Sequence, residues 1–570
     1  VNGLRAAAAI VAVLGIAWLA PVTPAAMSGL GFELTDATAA AGLRFEHATG
    51  ATGRKYLPET LGSGVAVFDA DGDGHQDVLL LSGTSLDSRT SSPGGTLRLF
   101  RNSGSGSFED VTTRSGLNVS MYAMGAAAAD YDNDGHQDLV VTSVGQSRLF
   151  RNSGDGKFVD VTERAGLGGR SAFSTSALWV DYDRDGLLDL LIGNYVRWTP
   201  ETDVFCSADG KTKSYCTPEA YRGTTSWLYR NTGKGTFEDV TAVAGLFDPT
   251  SKALGVTTLD YDVDGWPDLF VANDTQPNKL YRNKGDRTFQ EVAVQAGLAF
   301  SEDGRARAGM GTDAADFDNS GVPSVVVTNF SGEMLGLYVP VRRGVYADKA
   351  PNSEVGRASR LTLGFGCFFF DADLDGLLDL LVVNGHIDDG VARTGRVHYA
   401  EPPHLFHNRG KGQFVDVARE VGAEFSKPKV GRGAAFGDLD LDGDLDVLVT
   451  TNGGPAHFYR NGIKSANRSV RITLRGTKSN RDGIGARVKA RVGSAWQSRM
   501  VRTGSSYLSQ SELPLTFGLS TGQAIEEMIV EWPSGARDHL GKLQAGRSYV
   551  ITEGQRITGE RTLGEISVPR

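Results

Sequence analysis

The chain has 570 residues, 40% of them hydrophobic and 22% charged, with a formal net charge of −10. This length suits two to four ordinary domains or one large repeat architecture with an addition, and the composition excludes wholesale disorder. The charge is uneven: from residue 466 onward 16 Lys and Arg stand against 9 Asp and Glu, a basic end that either faces an anionic surface or balances the acidic part.

Residues 1–26, VNGLRAAAAIVAVLGIAWLAPVTPAA, place Arg5 before an apolar run from Ala6 to Ala20 and then small residues. This is the layout of a secretory signal cleaved near Ala26, and the run is short for a membrane span. An uncleaved anchor is the alternative. The expectation is a protein that is secreted, periplasmic or held at the cell surface, with no membrane span after cleavage.

From Asp69 to Asp77 the sequence reads DADGDGHQD, and six further stretches echo it, starting at 130, 181, 260, 316, 371 and 438. Each follows a short run of small and apolar residues and precedes an aliphatic one such as DVLLLS or DLLIGN. A second phrase then recurs, LFRNSGSGSFEDVT in its first form, which reads as two strands around an Asn/Gly-rich turn. The repeat is strand, acidic loop, strand, connection, strand, tight turn, strand. Seven such repeats predict an all-β, seven-bladed β-propeller over 27–465. The last repeat lacks a fourth strand, and FELTDATAAAGL (Phe32 to Leu43) matches the fourth-strand phrase without a repeat of its own. The strand 32–38 is therefore expected to complete the seventh repeat and close the ring.

Acids at positions 1, 3, 5 and 9 with Gly at 6 let a tight loop aim several oxygens at one point, and Ca²⁺ takes six to eight oxygens in irregular geometry. The expected ligands are Asp69, Asp71, Asp73 and Asp77 with the carbonyl of His75; Asp130, Asp132, Asp134 and Asp138 with that of His136; and Asp181, Asp183, Asp185 and Asp189 with that of Leu187. Asp260, Asp262, Asp264 and Asp268 go with Trp266; Asp371, Asp373, Asp375 and Asp379 with Leu377; and Asp438, Asp440, Asp442 and Asp446 with Asp444. The fifth copy keeps Asp316 and Asp318 but has Ser320 and Ser324 in place of the later acids, so about six Ca²⁺ are expected and a seventh site is degenerate. Position 12 is aliphatic in every copy (Leu80, Val141, Ile192, Val271, Val327, Val382, Val449), which excludes an EF-hand with its position-12 Glu. Metal-free acidic turns are the competing reading; four clustered carboxylates without a cation would repel one another.

Cys206 and Cys216 lie ten apart in a polar loop and are expected to pair in an oxidising compartment, while Cys367 reads as a buried strand residue. In a meander repeat the acidic loops fall on one face and the long insertions on the other. Asn194, Asn273, Asn329, Asn384 and Asn452 end second strands on that opposite face, suited to a polar ligand or to strand-end capping. With His47, Glu59, Arg305 and His386 they form the candidate ligand face. Histidines 386, 398, 404 and 407, with His47 and Glu59, also offer a second metal or acid–base site against the default of ordinary loop histidines. No nucleophile elbow, phosphate loop or zinc-protease helix occurs.

The acidic motif in its strand context resembles the FG-GAP/VCBS calcium-binding propeller repeats of integrin α-subunit heads. Further on, GTKSNRDGIGARV, GSSYLSQSELPLTFGL and VEWPSG resemble the ASPIC/UnbV domain that follows such propellers in the cartilage acidic protein family. YLPETLGSGVAVFD, SYCTPEAYRG, TNFSGE and VNGHI are similar to that family as well. The resemblance implies an extracytoplasmic calcium-binding protein with a small β-sandwich-like ASPIC/UnbV domain over 466–555 and a tail at 556–570. Expected partners are an extracellular protein or glycan, not nucleic acid, bound by a monomer. The competing function is an extracytoplasmic enzyme with its active site at the channel mouth, because fold alone does not decide function.

Overall fold

Each acidic stretch turns the chain between two strands, and each hairpin phrase folds as its glycines dictate. The computed structural model describes residues 29–86, 95–207, 209–391 and 397–564, so the signal-like segment 1–26 lies outside the described residues. Residues 65–110 form an antiparallel meander of Val65–Phe68, Asp77–Leu81, Leu97–Asn102 and Phe108–Asp110. The same order of four strands recurs over 123–160, 172–239, 253–291, 312–348 and 364–416. These are units 1 to 6. Unit 7, residues 431–463, supplies three strands, and its fourth is Phe32–Asp36, antiparallel to His457–Ile463 with Phe32 opposite Ile463 and Asp36 opposite Tyr459. This repetition of antiparallel sheets fits a β-propeller.

The first two strands of a unit are buried over most or all of their length, wholly so in AMGAAAA and DLLIGN, because neighbouring units cover both faces. Leu178, Val180 and Leu191 of unit 3, for example, share one apolar cluster with Val256, Leu269 and Val271 of unit 4. Fully burying such side chains contributes about 1.5–3 kcal/mol each.

Beyond unit 7 come two four-stranded sheets. One orders Leu515–Leu519, Arg468–Arg475, Arg547–Thr552 and Arg556–Thr562; the other orders Ala495–Met500, Arg487–Val492, Ile525–Glu531 and Arg537–Leu540. Val470, Ile472 and Phe517 of the first meet Val488, Met528 and Val530 of the second in one core. The stretch expected as a tail from 556 is thus an edge strand. Its sequence, RITGERT, hides this because most of its residues are polar and face solvent.

Residues 503–512, which link the two sheets, hydrogen-bond to the first strand of all seven units. Thr503 Oγ1 accepts from Trp179 N at 2.7 Å, Ser505 N donates to Val256 O, and Ser506 O accepts from Thr312 N. Ser506 Oγ accepts from Cys367 N, Gln510 pairs with Val65 and Val67, its side chain with Ala128, and Ser511 Oγ accepts from Phe436 N. So short a segment reaches seven first strands only because those strands face a common axis.

Candidate metal loops and ligand face

The acidic loops share one construction. In the first six loops the position-1 carboxylate accepts from the backbone N–H of Gly at position 6, as Asp69 does from Gly74 at 2.9 Å and Asp130 from Gly135 at 2.7 Å, whereas Asp438 of the seventh pairs with Arg471. The position-9 carboxylate accepts from position 2 and from the Asn that ends the third strand: Asp77 from Ala70 at 2.9 Å and from Asn102 at 2.7 Å. Position 4 is left-handed throughout, with φ of 59° at Asn133 and 56° at Val263. For the β-branched Val263 this is strained backbone of the kind that collects at functional sites.

This fold gathers oxygens. In Asp69/Asp71/Asp77, Asp130/Asp132/Asp138, Asp181/Asp183/Asp189 and Asp260/Asp262/Asp268, one carboxylate oxygen from each residue lies within 4.8 Å of the others. Asp373 and Asp379 form such a group with His407. The Oδ1 atoms of Asp132, Asp181, Asp262 and Asp440 are buried without a hydrogen-bond partner. Burial, and then the neighbouring carboxylates, push the Asp181 carboxyl up to about 7. Burial and Asp482, followed by loop neighbours, raise Asp130 to about 7 as well. Oxygen-only sets with orphaned buried carboxylate oxygens fit a hard divalent cation such as Ca²⁺. Arginines from third strands sit at the rim: Arg151 reaches Asp132 at 2.6 Å and Asp134 at 2.5 Å, and Arg282 reaches Asp262 at 2.9 Å.

The residues that end third strands escaped sequence reasoning. Asn152 donates its side-chain amide to Gln137 O in its own loop and to Ala70 O in the preceding unit's loop. Asn102, Asn231, Asn283 and Asn408 do the same, and Asn461 donates to Ala372 O in the preceding unit's loop. The RN or HN that ends the third-strand phrase of every unit but the fifth was the available signal. Also unforeseen, the C-terminal sheets dock on the acidic-loop side. Arg471, buried, reaches Asp438 at 3.0 Å and Glu512 at 2.7 Å, and Arg487 reaches Asp260 at 2.7 Å. Nothing local in the sequence pairs Arg487 with Asp260, 227 residues away.

On the opposite side, Glu59 sits on the short 3₁₀ turn Leu57–Thr60 and is 2% exposed. Its Oε2 accepts from Tyr215 at 3.0 Å, and burial raises its pKa. Tyr215 is held beside the Cys206–Cys216 disulfide, while Cys367 is free and buried. Lys55 lies 4.6 Å over the Tyr215 ring and 3.6 Å from Asp389. Glu59, Tyr215, Tyr399, Lys429 and Asn452 wall one cavity of about 520 Å³. Below it Arg432, fully buried, donates to the carbonyls of Thr60, Gly385, Gly431 and His386 and stacks 3.9 Å over Phe365.

The other expected face residues divide. His47 is buried and accepts at Nδ1 from Gly453 N. Asn194, Asn273, Asn329 and Asn384 are buried and donate to the loop carbonyls of Thr225, Pro277, Met334 and Pro402, so their amides cap strand ends. Only Asn452 among the five lines the cavity, while donating to Glu59 O. Arg305 is exposed and lies 3.6 Å from Asp303. The four histidines do not converge: His404 bonds Asp416 at 2.6 Å, His407 bonds Asp379 in the sixth acidic loop, His386 accepts from Asp388 N, and His398 is exposed. Adjacent in sequence, they lie at opposite strand ends.

The FG-GAP-like repeat family matches residues 69–141, 130–192, 202–271, 260–327 and 371–449, and the ASPIC and UnbV family matches 476–558. Cartilage acidic protein 1 of Xenopus tropicalis is 27% identical over 274 residues, 47% of this chain and 40% of its own length. The Homo sapiens protein of that name is 28% identical over 235 residues, 38% of this chain and 32% of its own. The chain thus spans less than half the length of the curated relatives it matches. Among solved structures, an Agrocybe aegerita lectin described as recognising non-reducing terminal N-acetylglucosamine matches at a TM-score of 0.38 and 16% identity, covering 64% of this chain and 84% of the lectin.

Proposed function

Because the chain belongs to the cartilage acidic protein family, in which FG-GAP-like repeats are joined to an ASPIC and UnbV domain, we propose that it is an extracellular calcium-binding adhesion module. The seven units are blades of one closed ring, and residues 466–562 form a sandwich-like domain seated on its acidic-loop side. Calcium is held in the six full loops by the position-1, -3, -5 and -9 carboxylates and the position-7 carbonyl. When bound it supplies the positive charge that lets these buried acids ionise together.

The ligand face is the cavity around Glu59 and Tyr215, on the side away from the metal loops, and a protein or glycan ligand docks there. One observation carries this reading: residues 503–512 bond to the first strands of all seven units along the axis, which leaves a concave polar mouth open around Glu59 on the side opposite the acidic loops. Among the described residues no helix is long and apolar enough to cross a membrane. The test is a glycan array and a panel of matrix proteins probed with the full chain in calcium. Binding that is lost on Tyr215→Ala and Tyr399→Ala supports the reading; binding indifferent to both contradicts it.

A further inference from the structure

A second cavity, of about 480 Å³, lies between the C-terminal sheets and the acidic loops of units 1 and 2. This is within the usual range for ligand pockets, about 300–1,000 Å³. Four arginines line it: Arg471, Arg475, Arg481 and Arg561. The acids in its walls are already engaged. Glu560 accepts from Arg547 at 2.7 Å, and Asp482 accepts from the backbone N–H of Asp130 at 2.8 Å. Asp69 accepts from Gly72 and Gly74 as part of the first metal loop. Arg471 is held between Asp438 and Glu512. Among the described residues the guanidiniums of Arg475, Arg481 and Arg561 make no hydrogen bond or ion pair.

Each of these three guanidiniums offers the planar fork that binds oxyanions through paired N–H groups. Burial, and then the charge of Arg471, hold the Arg561 pKa below the ordinary value. Leu474, Leu513 and Pro514 add an apolar wall suited to the C–H face of a sugar ring. The site is a cleft between two bodies of the protein, which a chain-like ligand enters and a flat membrane does not. We propose that this cleft binds the sulfate groups of a sulfated glycan, through Arg475, Arg481 and Arg561. It lies on the acidic-loop side, away from the Glu59 cavity, so the two readings stand or fall separately.

The test uses the full chain in calcium, titrated calorimetrically with a highly sulfated octasaccharide, its desulfated counterpart, inorganic sulfate, and vesicles containing phosphatidylserine. The octasaccharide is expected to bind at least tenfold more tightly than the desulfated sugar. Its affinity should fall with salt as about two to three counterions are released, by the polyelectrolyte argument. The triple variant Arg475→Gln, Arg481→Gln, Arg561→Gln should lose at least tenfold in affinity and most of that salt dependence. Arg475 and Arg481 are exposed, so the double variant Arg475→Glu, Arg481→Glu should fold and show the same loss if the triple variant does not fold. Equal binding of both sugars, binding of vesicles or inorganic sulfate alone, or unaltered affinity in the variants would overturn the proposal.

Discussion

The side-chain amide of Asn102 donates to the carbonyl of Leu439 at 2.8 Å, tying the first unit to the seventh across 337 residues. The same amide donates to Gln76 O at 2.9 Å within its own unit. Unit 5 lacks the Asn, and there the Tyr346 hydroxyl reaches Tyr261 O of unit 4 at 3.2 Å and Pro323 O of its own loop at 3.0 Å. A different residue from a different strand thus restores the same latch between neighbours.

Asn102→Ala leaves two buried carbonyls without donors and should cost about 2–3 kcal/mol. Tyr346→Phe removes only a hydroxyl and should cost about 1–2 kcal/mol. Urea unfolding of both variants checks this; a change below about 0.5 kcal/mol in either would show that latch to be ornamental.

Removing residues up to Asp36 strips Phe32 and Leu34 from the seventh unit's core and bares the edge of His457–Ile463. Two such side chains are worth about 3–6 kcal/mol. The thermal midpoint of the truncated chain should drop sharply, and Leu34→Asp in the full chain should act in the same direction. An unchanged midpoint in both would mean that this strand does not secure the ring.

Tyr507 is fully buried on the axis, edge-on to Phe365 with ring centroids 4.9 Å apart, and donates to Leu61 O at 2.8 Å. Tyr507→Ala should cost about 3–5 kcal/mol by opening a cavity, and Tyr507→Phe about 1 kcal/mol. Denaturant titration giving less than 1 kcal/mol for the alanine variant would show that residues 503–512 leave the ring's stability untouched.

Glu401 is buried, its Oε2 accepting from Leu363 N at 2.8 Å while Oε1 has no partner. Burial raises its pKa from 4.5 to about 7. A carboxyl raised in the folded state favours folding while protonated, and that contribution is lost as pH climbs through 4.5 to 7, by up to about 3 kcal/mol. Glu401→Gln cannot ionise, so its stability relative to the native chain should rise through that window. Urea midpoints at pH 4.5 and pH 8 check it; a difference between the two proteins that stays constant with pH would contradict the assignment.

What could be read from the sequence follows from how local each feature is. Asp69 to Asp77 carries its loop geometry in its own spacing, and FELTD declares its place because it repeats the FEDVT phrase. Residues 503–512 could not be placed, since GSSYLSQS makes its bonds through hydroxyls and backbone to seven distant strands and carries no periodic pattern. Arg471 and Arg487 read as surface charge, because Asp438 and Asp260 meet them only after the C-terminal sheets dock. Asn194 and its counterparts were legible only as alternatives, since an amide suited to a ligand is equally suited to the loop carbonyl that it meets.

The central claim is that buried carboxylates in repeated loops make the ring a calcium-dependent structure. Metal that binds only the folded chain stabilises it by about 2.7 kcal/mol per site at a hundredfold excess over the dissociation constant. The direct measurement is calcium stoichiometry by calorimetry on the full chain, paired with thermal melts in calcium and in EDTA. The account predicts about six ions per chain and a midpoint that falls steeply on chelation; two ions or fewer, or a midpoint indifferent to EDTA, would contradict it.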